Sequence, residues 1–140
     1  MPRKIRLGTV VAIPLTNGHH AYGRVHEDAN LAIYSLVSPA LVTLEQVSSS
    51  PVAFFTGAFD TAIRSGEWPI LGVLPFPDNE SAWAPPTYIQ DIIDPTKYRI
   101  YHRGEMRPAT PDETAGLDIA CVRKPGQVVD LIEQRLLPRA

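Results

Sequence analysis

The chain predicts an α+β fold: a single domain with a strongly bent, mostly antiparallel, barrel-like β-sheet, short helices and a C-terminal amphipathic helix. Three observations carry this. Runs rich in Val and Ile flank Asn17-Gly18, the dipeptide best suited to the positive φ angles of a tight hairpin turn. Pro14 and Gly23 interrupt those runs in a way that suits an edge, a bulge or a curved sheet and not a flat one. Near the end of the chain, Val129, Ile132 and Leu136 recur at helical spacing, with Val128 and Leu131 widening the stripe.

Taken in order, the first hairpin has Asn17 and Gly18 as a two-residue loop, which pairs Thr16 with His19, Ile13 with Tyr22 and Val10 with Val25. One face then reads Val11, Ile13, Leu15 and Tyr22. The other reads Val10, Ala12, Ala21, Gly23 and Val25, so both faces call for cover. Leu31 to Leu36 adds a third strand after the polar turn Glu27-Asp28-Ala29-Asn30. Thr43 to Val47 reads as a short helical turn ended by three serines and Pro51, and Val52 to Thr56 as a fourth strand. Phe59, Ala62 and Ile63 fall at i, i+3, i+4 and predict helical turns closed by Gly66, with a further strand over Ile70 to Leu74.

The 14 prolines concentrate between Pro69 and Pro111, a stretch expected to be irregular yet ordered by the aromatic area among them. Asp94-Pro95-Thr96-Lys97 has the residue preferences of a type I turn. Tyr98 to His102 then alternates as a strand, with Tyr98, Ile100 and His102 on one side and Arg99 and Tyr101 on the other. Thr110-Pro111-Asp112-Glu113 places a capping hydroxyl, a first-turn proline and a reciprocal acid at the start of a helix kept short by Gly116. Ile119 to Val122 reads as a final buried strand. The closing helix runs from Gln127 to Leu136 and is stopped by Pro138.

With 140 residues, the chain fits one domain, 1–140, and 13 Lys+Arg against 15 Asp+Glu leave a net charge of -2. That balance disfavours a domain whose affinity rests on neutralising phosphates. The lone Cys121 removes an intramolecular disulfide and suits a reducing cytoplasm; lying in an apolar run, it is expected to be buried and inert. No apolar run follows the basic residues Arg3, Lys4 and Arg6, so no signal peptide is expected, and no stretch is long and apolar enough for a membrane span.

Catalytic chemistry finds little purchase. His19 and His20 are adjacent and point to opposite faces if extended, so they do not chelate one ion together. No serine sits in a Gly-x-Ser-x-Gly elbow, and no glycine-rich loop joins a strand to a helix. Asp91 and Asp94 stand three apart as a possible acid–base pair, but Asp94 already has a reason in the turn before Pro95. Arg3, Lys4, Arg6, Arg123 and Lys124 read as terminal and loop charges. Trp68, Arg99 and Tyr101, with Trp83 and Tyr88 nearby, are the residue types enriched where proteins meet proteins, although a Trp placed like Trp68, just after Gly66, is more often a core anchor than a partner contact.

Several segments, in order, resemble one bacterial family. Gly8 to Leu15 followed by Gly18 and Ala21-Tyr22-Gly23-Arg24-Val25 is similar to the opening of the immunity protein 26 family, and Arg64 to Gly72 to its central Trp-Pro segment. Gln90-Asp91, Lys97 to Tyr101, Gly104-Glu105, Arg107 to Thr110 and Glu113 resemble its later signature, whereas Asp78 to Ala84 matches nothing in it. The resemblance spans Gly8 to Leu136. It implies a non-enzymatic cytoplasmic protein, without cofactor, that binds and blocks a cognate secreted toxin; the shared Trp-Pro and Tyr-Arg-Ile-Tyr positions support the fold more than any contact, and Trp68, Gln90, Asp91, Arg99 and Tyr101 are the candidate toxin-binding residues. Two other readings stand beside it: a small barrel-like module for nucleic acid or a peptide, and a hydrolase in which Asp91 meets His102 or His20.

Overall fold

A computed structural model describes residues 5–137, so Arg3, Lys4 and the expected helix stop at Pro138 lie outside the described residues. Ten strands and four α-helices follow one another as β1 (Thr9–Pro14), β2 (His20–His26), β3 (Asn30–Tyr34), α1 (Leu44–Ser48), β4 (Val52–Ala58), α2 (Thr61–Ser65), β5 (Ile70–Val73), β6 (Thr87–Gln90), β7 (Tyr98–His102), β8 (Glu105–Ala109), α3 (Pro111–Thr114), β9 (Asp118–Ile119), β10 (Val122–Arg123) and α4 (Pro125–Leu136). The α+β architecture is as expected. The strands divide into two open sheets, neither closed into a barrel, with orders β10-β4-β3-β2-β1-β5 and β8-β7-β6-β9.

The first sheet is the core. Strand alternation sends Val11, Ile13, Leu15, Ala21, Leu31, Ile33 and Phe54 to one face, where Ile63, Trp68, Val128 and Ile132 cover them from α2, the following turn and α4. Val10, Ala12, Tyr22 and Tyr34 go to the other face, closed by Val47 of α1. Central strands covered on both sides explain why β1 is apolar at nearly every position, without the alternation of a half-exposed strand.

The first hairpin differs from expectation by one residue. Val10 pairs with Arg24, Ile13 with Ala21 and Pro14 with His20, so the loop holds three residues, Thr16, Asn17 and Gly18. The Leu15 amide donates to the His19 carbonyl at 2.8 Å, and Gly18 takes the left-handed conformation at φ 84°. A glycine bulge replaces the two-residue turn. Since side chains alternate, the shift moves Tyr22 to the face opposite Ile13, where its hydroxyl reaches the Ser38 hydroxyl at 2.7 Å and accepts from the Val42 amide. Gly23 consequently sits across from Val11, not Ala12. Pro14 lies past the last β5 pairing at Val11, where no donor is missed.

Local signals elsewhere are obeyed. Thr43 and Thr110 each cap a helix with a reciprocal side chain from Gln46 and Glu113. Gly66 ends α2 in the left-handed region at φ 85°. Phe59, in contrast to its expected place on the α2 stripe, precedes that helix and is 49% exposed.

The second sheet departs from expectation, since β6 and β8 form ordered strands within the proline-rich stretch expected to be irregular. It joins the first through the segment 118–123. Asp118 and Ile119 pair in parallel with β6, and two residues later Val122 and Arg123 pair in parallel with β4. The single buried strand expected over Ile119 to Val122 is therefore two short strands belonging to different sheets, and Ile119, Cys121 and Val122 are all exposed. Gly57 permits this crossing: a Cβ there would stand 2.2 Å from the Cys121 carbonyl oxygen.

Candidate functional site

The five candidate contact residues do not gather in one place. Trp68 is 2% exposed, its amide donates to the Ala62 carbonyl at 3.0 Å, and its ring lies in the main core. A side chain so covered has no area left for a partner, so Trp68 leaves the contact set and joins the fold. The remaining four all belong to the β6–β7 hairpin. Gln90 pairs with Tyr98, while Arg99 pairs with Ile89 and Tyr101 with Thr87, so Gln90 lies on the opposite face of the second sheet from Arg99 and Tyr101.

The face that carries Tyr101 looks into a cleft of about 650 Å³ between the two sheets. Phe54 and Phe55 of β4, Thr87, Ile89 and Tyr101 of the second sheet, residues 118–123, and Leu131 and Arg135 of α4 are among the residues that line it. The Tyr101 hydroxyl donates across the gap to Asp28, in the turn between β2 and β3. Receipt of that bond by the carboxylate holds the phenol above its ordinary range, reinforced by burial and by the charge of Asp28. Asp28 and Ala29 are both left-handed, at φ 63° and 56°, so the tie fixes a strained turn. Arg135, also in the lining, pairs with Asp118 at 3.2 Å and lies over the Phe54 ring at 4.8 Å.

The loop that follows β6 is braced from within. One oxygen of Asp91 accepts from the amides of Ile93 at 2.8 Å and Asp94 at 3.0 Å. Asp94 does the same for the amide and hydroxyl of Thr96, and the Lys97 amide donates to the Asp94 carbonyl at 2.9 Å, the turn that the Asp-Pro pair predicts. Gln90 donates through Nε2 to the Pro95 carbonyl at 2.9 Å. Backbone amides from Asp94 and then Ile93, with lesser help from the charges of Arg99 and Lys97, hold the Asp91 carboxyl below the usual carboxylate range. Arg99 stands 3.9 Å from the other Asp91 oxygen, with about half of its side chain exposed. This pair is a weak, screened contact.

Between those braces, Ile92 and Ile93 are 96% and 95% exposed. The available signal was two isoleucines set between Asp91 and the Asp94-Pro95 turn, with no period on which to bury them.

The hydrolase reading fails on this geometry. It requires Asp91 to converge with a histidine, and Asp91 instead accepts loop amides as a structural acceptor. His26, deep in the fold at 7% exposure, is edge-on to Phe55 and Phe76, and burial with the nearby Arg24 charge lowers its pKa to about 4. Among the described residues no group of three metal-ligating side chains converges, and no helix is long and apolar enough to cross a membrane.

No curated protein and no solved structure matches the chain. Residues 6–99 do match a family description, immunity protein 26. That span takes in β1 to β6, the braced loop and β7 up to Arg99, and leaves Tyr101 and the later segments outside the match. Because it covers well over half of the sequence, the chain belongs to the immunity protein 26 family.

Proposed function

We propose that this protein neutralises a cognate secreted toxin by binding it one to one and covering the toxin's working surface, with the β6–β7 hairpin and its surroundings as the contact side. The observation that carries the reading is the family match over residues 6–99. Such an inhibitor needs a surface that is already ordered before the encounter, since each side chain or loop immobilised on binding subtracts from affinity. The loop after β6, with its carboxylates committed to its own amides, meets that need. The toxin would be met in the producer's cytoplasm.

The test is co-expression with the toxic domain of the secreted protein encoded beside this gene. Protection of the host cell, together with an equimolar complex in size-exclusion chromatography, supports the reading. Catalytic inactivation of toxin at substoichiometric inhibitor, or a gene neighbourhood that is purely metabolic, counts against it. Salt-sensitive retention on DNA or RNA would move the protein to the nucleic-acid class, which the net charge of -2 disfavours.

A further inference from the structure

Resting on that binding reading, we infer that Ile92 and Ile93, at the tip of the β6–β7 loop, are the apolar anchor of the interface and insert into an apolar socket on the toxin protein. Exposed hydrophobic residues are common singly and need no explanation. Here two adjacent aliphatic side chains stand clear of the protein at 96% and 95% exposure, on a loop that is not slack. Asp91 clamps the amides of Ile93 and Asp94, Asp94 clamps Thr96, and the Asp91 amide donates to the Lys97 carbonyl at 2.9 Å across the loop base. The fold thus holds the pair outward and gains no burial from it. A preorganised apolar knob surrounded by satisfied polar groups has the properties of a binding hot spot.

Three occupants can be compared. A bilayer would favour an excess of basic residues around the tip, whereas Asp91 and Asp94 flank the isoleucines directly and Lys97 and Arg99 at the loop base only balance them. A second copy meeting tip to tip would bury on the order of 100 Å² per isoleucine. The total, about 400 Å², falls well short of the roughly 1,200 Å² of a stable interface. A protein partner that adds its own surroundings to the contact has neither difficulty.

The experiment measures binding of the purified toxic domain by calorimetry. Ile92→Ala and Ile93→Ala are each expected to weaken it about 10- to 100-fold, and the double change Ile92→Ser with Ile93→Ser about 1,000-fold, with melting temperature unchanged. Asp91 acts as a positioning residue: Asp91→Ala should weaken binding severalfold, and Asp91→Asn, which keeps a carbonyl acceptor for the same amides, should restore it. Wild-type affinity in the double variant overturns the anchor and leaves the toxin-binding reading standing. Failure of the unaltered protein to bind or protect overturns both. Loss, in the double variant, of binding to phosphatidylcholine–phosphatidylserine vesicles or of a concentration-dependent dimer would reassign the tip to a membrane or to self-association.

Discussion

Acidification from pH 7.5 to 5 is expected to cost the folded state about 2 kcal/mol through His26 alone. The ring is 7% exposed, between Phe55 and Phe76 with centroids 5.0 and 4.7 Å away, and Nδ1 is 3.1 Å from the Ala82 carbonyl, which fixes that nitrogen as the donor. Burial and the Arg24 charge lower the folded pKa from 6.5 to about 4. The unfolded chain therefore takes up the proton first. Stability from this group is fully present above pH 6.5 and is lost as the pH falls toward 4. At 1.36 kcal/mol per pH unit the whole gap is worth about 3 kcal/mol, of which about 2 is gone by pH 5. Urea denaturation at pH 7.5, 6.5 and 5 measures it, with His26→Gln as the reference because glutamine keeps a donor for Ala82 and does not titrate. The wild type should lose about 2 kcal/mol more than the variant over that range. Parallel losses in the two proteins, or an imidazole NMR titration with its midpoint near 6.5, would refute the reasoning.

Other outcomes follow from packing. Trp68→Ala should remove about 3–5 kcal/mol of stability, read from the urea midpoint, because its ring is enclosed in the main core. Gly57→Ala should cost about 1–3 kcal/mol, since the new methyl meets the Cys121 carbonyl and the crossing segment must move away. Cys121 should react with a thiol reagent in the native protein about as fast as in urea, being exposed where the chain passes between sheets.

What the sequence made legible was local. The capping box at Thr110, the short helical turn after Thr43, the stop at Gly66 and the Asp94 turn are decided within a few residues, and all are present. The first hairpin was legible as a hairpin but not in register. Asn-Gly suits a two-residue turn and also a type I turn followed by a glycine bulge, and the choice rests on tertiary demands such as a partner for the Tyr22 hydroxyl. β6 and β8 were missed because four- and five-residue strands amid prolines owe their existence to neighbours distant in sequence. An apolar run at Ile119 to Val122 says nothing about which sheet will receive it or whether anything covers it, and here the strand splits and stays exposed.

The candidate site shows the same division, and it bears on how such a protein would bind. Polar and aromatic side chains are the types that most often contact partners. In this hairpin most of them are already committed: Gln90 to Pro95, Asp91 to two amides, Tyr101 to Asp28. A partner that recruited those groups would first have to break bonds the fold relies on, and an exchange of one hydrogen bond for another yields little net affinity. Only groups left unused by the fold can contribute without that loss. In the loop these groups include the side chains of Ile92 and Ile93, whose burial against a partner would release water and break nothing. On the proposed reading the polar residues would act by keeping the tip in one shape, which lowers the entropy lost on association.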